Sequence, residues 1–227
     1  MKKLNQILAE GVYDPGIFKA FFLAGGPGSG KTFVTQSAFA GTGLKIVNSD
    51  TLFERGLKKA NLSLKMPDSE SEFRDIIRQR AKTTAGTILD TYMRGRLGLV
   101  IDATGRDRSI IQRQHALLTN LGYDCYMIFV NTSLDVALQR NRNRPRSIPE
   151  YIVTNSWNGV QSNIGQFQRI FSPNKMLIID NNRSEKELVT QTLGQAAKFI
   201  RSQLRTKPDN YIAKQWIARE LEAKKRI

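Results

Sequence analysis

The stretch Gly25-Gly26-Pro27-Gly28-Ser29-Gly30-Lys31-Thr32 decides how the rest of this sequence is interpreted. It fits the pattern G-x-x-x-x-G-K-[ST], whose glycines allow backbone amides to wrap around a phosphate group. In this pattern Lys31 is expected to reach the β- and γ-phosphates, and Thr32 offers its hydroxyl to Mg²⁺. An apolar segment precedes the stretch and a helical pattern follows it, so a helix dipole would point at the anion. We therefore predict that the whole stretch binds a nucleoside triphosphate, ATP with Mg²⁺.

Short apolar runs alternate with longer segments of helical periodicity around this stretch. The predicted strands are rich in Val, Ile, Leu or Phe, and they cover residues 17–24, 44–47, 97–101, 124–130 and 175–179. The predicted helices cover residues 30–39, 52–59, 71–94, 109–121, 134–141, 149–171, 185–205 and 211–227. Such alternation is typical of a three-layer α/β fold, in which crossovers make the sheet parallel and helices cover both of its faces.

We predict one domain over residues 1–207, with its core at 17–182, followed by a basic C-terminal helix over 208–227. Three apolar residues fall near one face of that helix: Ile212, Trp216 and Leu221. Two interpretations of this segment are open. Either its apolar edge packs against the domain while the rest is solvated, or it is a basic surface helix for nucleic acid or a protein partner.

The composition is that of a globular protein with an unusual charge. Of 227 residues, 35 are Lys or Arg and 20 are Asp or Glu, which gives a net charge of +15. This charge favours anionic partners, so we expect nucleic acid or a nucleotide-type acceptor. A simpler alternative is that the basic surface only aids solubility.

Cysteine and histidine usage excludes several classes of site. Cys125 is the only cysteine, so no internal disulfide can form, and we expect a buried thiol rather than a nucleophile. His115 is the only histidine, which leaves a histidine-based zinc site or a Ser-His-Asp triad without support. Residues Met1–Glu10 lack the apolar region of a secretory signal, and no apolar run is long enough to span a membrane. We therefore expect a soluble, cytoplasmic protein without membrane contact.

An aspartate ends the third predicted strand. Asp102 follows Leu99-Val100-Ile101 and is placed to hold Mg²⁺, unless it is only a turn residue or a helix cap. Ala103 stands where motor ATPases usually carry a glutamate that activates water, which counts against a motor.

A second aspartate, Asp50, follows the second predicted strand. The next residues, Thr51-Leu52-Phe53-Glu54, have the form of a capping box. If Thr51 caps the helix, Asp50 is free to take the proton from an attacking hydroxyl. The alternative is that Asp50 is itself the cap or makes a turn.

Four arginines alternate with other residues in a segment that we interpret as a lid, over about residues 140–150: Arg140, Arg142, Arg144 and Arg146. If a helix continues until Pro145 stops it, Arg140 lies one turn from Arg144, and Arg142 lies one turn from Arg146. Guanidinium groups this close repel one another unless an anion sits among them. The segment therefore predicts cations that close over the γ-phosphate, with an exposed basic patch as the alternative.

Taken together, these residues resemble the P-loop kinases of the polynucleotide kinase and zeta-toxin group. The resemblance rests on the glycine-rich stretch, on Asp50, on the strand end Asp102-Ala103-Thr104 and on the arginines at 140–146, and it covers roughly residues 17 to 180. It implies a five-stranded sheet ordered 2-3-1-4-5 and transfer of the ATP γ-phosphoryl group to a hydroxyl. The phosphatase signature D-x-D-x-T of phage polynucleotide kinase is missing, so repair of 3′ ends is not implied.

The resemblance also implies roles for individual residues. Asp50 would be the general base, with Lys31 as a catalytic cation beside it. The lid arginines would contact phosphates, with Arg140 and Arg144 as catalytic cations and Arg142 and Arg146 as cofactor ligands. Asn181 and Asn182 fall where such kinases often pack the adenine.

These residues favour an ATP-dependent phosphotransferase, and the charge favours a polynucleotide 5′-hydroxyl as acceptor. A zeta-toxin-like kinase of a nucleotide sugar or of another small molecule is an alternative. A further alternative is an ATP-binding switch that binds nucleic acid and phosphorylates nothing. The intact Lys31, Thr32, Asp50 and Asp102 argue against a degenerate scaffold.

Overall fold

The computed structural model describes residues 11–65, 67–182 and 186–225. Its strands form a single parallel sheet: β1 (Lys19–Ala24), β2 (Lys45–Val47), β3 (Leu99–Asp102), β4 (Asp124–Asn131) and β5 (Met176–Asp180). Their spatial order is β2-β3-β1-β4-β5. The α/β fold class and the sheet order implied by the resemblance are therefore confirmed. The expectation about a secretory signal concerns Met1–Glu10, which lie outside the described residues.

Helices pack on both faces of this sheet. They are α1 (Lys31–Ala38), α2 (Ser49–Lys59), α3 (Ser71–Arg94), α4 (Arg108–Asn120), α5 (Leu134–Arg142), α6 (Glu150–Ser162), α7 (Ile164–Phe171), α8 (Lys186–Arg205) and α9 (Tyr211–Lys225). The single helix predicted over 149–171 is wrong, because the chain breaks at Asn163. The side-chain amide of Asn163 donates hydrogen bonds to the carbonyls of Gly105 and Arg106, and this contact with a distant loop holds the break.

The central strand β1 connects two hydrophobic cores. All of its residues are buried, because strands flank it on both sides and helices cover both faces. Phe22 belongs to the core under α4 and α7, and Phe21 belongs to the core under α1 and α8. β1 ends at Ala24, close to the carboxyl ends of its neighbours: Leu23 pairs with Asp102, the last residue of β3, and Ala24 pairs with Phe129, two residues before β4 ends. The glycine-rich stretch therefore begins at the carboxyl edge of the sheet, where α/β proteins bind ligands.

The C-terminal helix α9 packs into the first of these cores. Ala213 is fully buried, and the ring of Trp216 lies 5.5 Å from the ring of Phe18 in an edge-to-face arrangement. The guanidinium group of Arg96 covers the same indole at 4.6 Å. Of the two interpretations of this segment, packing by an apolar edge is the one that the structure shows.

A buried ion pair fastens the connection that leads to α9. Lys19 has no exposed surface, and its amine lies 3.0 Å from Oδ2 of Asp124. The same oxygen accepts a hydrogen bond from the backbone amide of Asp209 at 2.7 Å. Burial lowers the pKa of Lys19, and the charge of Asp124 opposes this shift. Removing either partner would leave the other charge buried and unpaired. The ion pair therefore favours the observed arrangement, in which Asp209 lies against the start of β4.

Replacing Trp216 with alanine is expected to lower the free energy of unfolding by about 2 kcal/mol, because Phe18 and Arg96 lose a packed aromatic surface. Urea denaturation of the full chain measures the change. The control is Tyr211→Ala on the same helix, since Tyr211 is 70% exposed and its loss should cost less than about 0.5 kcal/mol. Equal effects of the two substitutions would contradict the packing of α9. Truncation after Pro208 is expected to destabilise the fold for the same reason.

Cys125 is buried, as predicted, and burial raises the pKa of its thiol to about 12. His115 packs edge-on against Phe171, and burial lowers the pKa of its imidazole. Within residues 11–65, 67–182 and 186–225, no three His, Cys, Asp or Glu side chains cluster in a way that could bind a metal. In the same ranges no helix combines the length and the apolar character that crossing a membrane requires.

Candidate active site

The glycine-rich stretch is a loop pressed between α5 and the end of β5. Gly28 and Gly30 have φ angles of 78° and 92°, which other residues adopt only with strain. A Cβ atom on Gly28 would lie 2.4 Å from the carbonyl oxygen of Ala137, and one on Gly30 would lie 2.2 Å from the amide nitrogen of Asn181. Glycine is therefore required at both positions by close approach as well as by backbone angle.

Hydrogen bonds from two neighbouring strand ends support this loop from below. The carbonyl oxygen of Ser29 accepts from Asn181 Nδ2 at 2.7 Å and from Thr132 Oγ1 at 3.2 Å. The indole of Trp157 in turn donates to the carbonyl of Thr132 at 2.6 Å. Asn181 is buried, so its amide shapes the loop, and a contact between Asn181 and adenine stays a prediction. Asn182 accepts from the backbone amide of Ser133 at 2.6 Å, which places it at the start of α5.

Lys31 begins α1, and its amine turns back onto the loop. It donates to the carbonyl of Gly25 at 2.6 Å and lies 3.4 Å from the carbonyl of Gly26. Burial lowers the pKa of Lys31, while the charges of Asp102 and Asp50 oppose this shift. The amine is thus held at the mouth of the loop by weak neutral acceptors, from which a phosphate could withdraw it.

Thr32 and Asp102 lie around the same cavity of about 350 Å³, which also includes Asn48. The Oδ2 atom of Asp102 accepts a hydrogen bond from Asn48 Nδ2 at 2.6 Å. Burial raises the pKa of Asp102, with Lys31 opposing, so a cation beside this carboxylate would be stabilising. A hydroxyl and a carboxylate oxygen are ligands that suit Mg²⁺, which usually completes its shell with phosphates and water. These residues therefore fit the predicted metal, although its binding at Thr32 and Asp102 stays a prediction.

Asn48 is a site residue that the sequence analysis missed. It caps α2, because its Oδ1 accepts from the amides of Asp50 at 2.7 Å and Thr51 at 3.1 Å. The predicted cap at Thr51 is wrong, and so is the alternative cap at Asp50: the helix begins at Ser49. The backbone of Asn48 is extended, which lets its short side chain reach the first free amides of the helix. An asparagine directly before the helical pattern was the available signal.

Asp50 lies in the first turn of α2, and its side chain contacts arginines instead of capping the helix. Its Oδ1 atom is 2.6 Å from Arg78 Nη1 and 3.7 Å from Arg146 Nη2. Burial acts to raise the pKa of Asp50, but the hydrogen bond from Arg78 and the charges of Arg146 and Arg78 together hold it below its usual value. The carboxylate is therefore ionised and already paired.

The lid segment does not continue α5. The helix ends at Arg142, so the two predicted pairings of arginines one helical turn apart are wrong. Residues before proline avoid the helical conformation, which is why the chain leaves the helix before Arg144-Pro145. The side chain of Asn141 closes the segment by bonding both to the carbonyl of Ile148 at 2.7 Å and to its amide at 3.1 Å.

This shape divides the four arginines into two pairs. Arg142 is exposed and binds Glu150 at 2.5 Å, and Arg144 is also exposed. Arg140 instead lies beside Gly30 of the loop and Arg146 lies beside Asp50. Three of their nitrogen atoms are buried without a hydrogen-bond partner among the described residues: Arg140 Nη1, Arg146 Nε and Arg146 Nη1. Burying such donors unpaired is costly, and phosphate oxygens would satisfy them. Phosphate contacts by all four arginines stay predictions, but Arg140 and Arg146 have the more suitable positions.

The assembled site places cations and the carboxylates of Asp50 and Asp102 around the mouth of the loop. Lys31, Arg140 and Arg146 can bind phosphate oxygens, and the carboxylate of Asp50 lies 3.7 Å from Arg146. Arg78 comes close to Asp50 only in the folded chain, since it lies 28 residues away in the sequence, in the first third of α3.

Comparisons with known proteins agree with this architecture. A family model described as an AAA domain, AAA_33, matches residues 21–166. No curated protein matches the sequence significantly. Solved structures with a similar fold include the AvrRxo1-ORF1:-ORF2 complex with ATP, at a TM-score of 0.56 and 12% identity over 93% of this chain and 87% of that chain.

Two further similar structures carry kinase names. One is shikimate kinase from Acinetobacter baumannii in complex with shikimate, with a TM-score of 0.51 and 16% identity over 86% of this chain and 100% of that chain. The other is a putative kinase from Chloroflexus aurantiacus, with a TM-score of 0.52 and 16% identity over 81% of this chain and 96% of that chain. At such identities the likeness concerns the fold alone. The family match covers more than half of the sequence and contains the phosphate-binding loop, so the chain belongs to the AAA_33 family.

Proposed function

We propose that this protein is a phosphotransferase that moves the γ-phosphoryl group of ATP to a hydroxyl acceptor. The observation that carries the proposal is that guanidinium nitrogens are buried without a partner on Arg140, beside Gly30 of the loop, and on Arg146, beside Asp50. A protein that only bound the α- and β-phosphates would not need two further cations in addition to Lys31. Such cations suit a γ-phosphoryl group whose charge spreads during transfer.

Each residue has a stated task in this reaction. Lys31, Arg140 and Arg146 stabilise the γ-phosphoryl group, and Asp50 accepts the proton of the attacking hydroxyl. A bond forms between the acceptor oxygen and the γ-phosphorus, and the bond from that phosphorus to the bridging oxygen of ADP breaks. Thr32 and Asp102 would hold Mg²⁺, which neutralises charge on the β- and γ-phosphates. The missing glutamate after Asp102 fits transfer to an acceptor better than rapid hydrolysis.

For the acceptor, we infer a polynucleotide 5′-hydroxyl. The net charge of +15 supports a polyanionic partner, and the resemblance to polynucleotide kinases supports the same class. A small-molecule hydroxyl is the second candidate, favoured by the likeness to shikimate kinase. A nucleotide sugar, as for zeta toxins, belongs to this second class, and the third candidate is a nucleic-acid-binding switch that transfers nothing.

A transfer assay with γ-labelled ATP and Mg²⁺ tests these candidates. The acceptors are 5′-hydroxyl DNA, 5′-hydroxyl RNA, nucleosides, a nucleotide sugar and shikimate, with a 5′-phosphorylated oligonucleotide as the matched control. We expect label on the 5′-hydroxyl oligonucleotides and none on the control. Label confined to a small molecule would replace the polynucleotide assignment, and label only in inorganic phosphate would overturn the kinase proposal in favour of the switch.

A further inference from the structure

Arg78 forms an ion pair with the carboxylate of Asp50, which the proposed reaction needs as its base. Its Nη1 atom lies 2.6 Å from Asp50 Oδ1, which is much closer than the 3.7 Å contact from Arg146. A carboxylate engaged in a charge-assisted hydrogen bond is a poor proton acceptor. In the absence of an acceptor, therefore, the carboxylate of Asp50 is held in an ion pair and accepts a proton poorly.

Packing between α2 and α3 determines where Arg78 lies. Its guanidinium carbon stands 3.8 Å from the centre of the Phe53 ring, and Phe53 is 1% exposed. Phe53 belongs to a small core that these two helices share. The helices approach so closely at Gly56 that a Cβ atom there would lie 2.5 Å from Ile77 Cγ2. The pair of Arg78 and Asp50 is thus a consequence of helix packing rather than a chance surface contact.

A ligand can still reach the pair from solvent. The side chain of Arg78 is 34% exposed and that of Asp50 is 48% exposed. An incoming phosphate or carboxylate can accept two parallel hydrogen bonds from the guanidinium group. Asp50 accepts only one, from Nη1. The incoming group would compete with Asp50 for Arg78 at the place where an acceptor hydroxyl must bind.

We propose that Arg78 is a positioning residue that restrains Asp50 until an anionic group on the acceptor takes over the guanidinium. This inference rests on the proposed kinase function. Its consequence is that ATP is protected from water while the acceptor is absent. In the unwanted reaction a water oxygen bonds to the γ-phosphorus, the bond to the bridging oxygen of ADP breaks, and the water proton passes to the released carboxylate of Asp50.

The first test measures phosphate release from ATP·Mg²⁺ without any acceptor. Arg78→Gln should raise this hydrolysis by about tenfold, because Asp50 becomes free to orient water. The double variant Arg78→Gln/Asp50→Asn should return to the wild-type rate. Arg94→Gln is the matched control, since Arg94 lies on the same helix and also binds an aspartate, Asp90, but far from the cleft. Unchanged hydrolysis in a folded Arg78→Gln protein would overturn the proposal.

The second test compares two acceptors that share a hydroxyl and differ in one anion: adenosine and adenosine 3′-monophosphate. Wild-type protein should transfer label to the monophosphate with a lower KM, and Arg78→Gln should remove at least most of this difference. A preference that survives in Arg78→Gln would show that the anion binds elsewhere. If Arg78→Gln does not fold, Arg78→Lys replaces it, and we expect a smaller change in the same direction because the charge remains but the planar fork is lost.

These tests separate two kinds of failure. If the wild-type protein labels no acceptor in the transfer panel, the proposed function fails. If it labels an acceptor while Arg78→Gln changes neither hydrolysis nor the preference for an anion, only the role of Arg78 fails.

Discussion

Replacing Lys31 with alanine is expected to reduce γ-phosphoryl transfer by about a thousandfold or more, because we expect its amine to contact the γ-phosphoryl group on which charge develops. In the structure this amine rests on the carbonyls of Gly25 and Gly26, at the mouth of the loop. Neither carbonyl competes well with a phosphate for an ammonium group, so binding of ATP should draw Lys31 to the β- and γ-phosphates. Single-turnover transfer from γ-labelled ATP measures the loss.

Lys58→Ala provides the control for that experiment. Lys58 lies on α2, is 63% exposed and binds Glu54 one helical turn away, so its removal should leave the transfer rate unchanged. Thermal denaturation of both variants establishes that they fold. A Lys31→Ala protein that folds and still transfers label at a rate near that of the wild type would contradict the central role of the loop.

The second large effect is expected from Asp50→Asn. The asparagine keeps an oxygen that can accept from Arg78, so the helix packing should be preserved and ATP should still bind. Transfer to the acceptor should fall by about a hundredfold or more, because an amide cannot take the proton of the attacking hydroxyl. The measurements are the Kd for ATP and the transfer rate at saturating ATP.

Asp90→Asn is the matched control, since Asp90 is a half-exposed carboxylate that binds an arginine on α3 away from the cleft. An unchanged transfer rate in Asp50→Asn would mean that Asp50 serves only the first turn of α2. A loss of ATP binding in the same variant would point instead to a structural role for its contacts with Arg78 and Arg146. Together with Arg78→Gln, these variants separate the base from the residue that restrains it.

The local parts of the fold and of the site could be predicted from the sequence. The loop at Gly25–Thr32 follows a buried strand and opens a helix, and these neighbours in sequence are also neighbours in space. The strand end at Asp102 was predicted on the same basis, because parallel strands present their carboxyl ends at one edge of the sheet. The sheet order came from the resemblance to a kinase group, since strand periodicity does not specify which strands are adjacent.

Contacts between distant segments decided the features of the fold and of the site that the sequence did not predict. Arg78 faces Asp50 only because α3 packs against α2, and a break at Asn163 exists only because its amide binds the loop after β3. The lid arginines are equivalent in sequence, but the turn after Arg142 directs Arg146 toward Asp50 and leaves Arg142 paired with Glu150. Periodicity reports which face of a helix is apolar, whereas the partner of a charged side chain depends on how the helices pack. The sequence by itself therefore determined that a glycine-rich loop joins a buried strand to a helix, where we predict a triphosphate to bind. Only the tertiary structure decided which charges surround the carboxylate of Asp50.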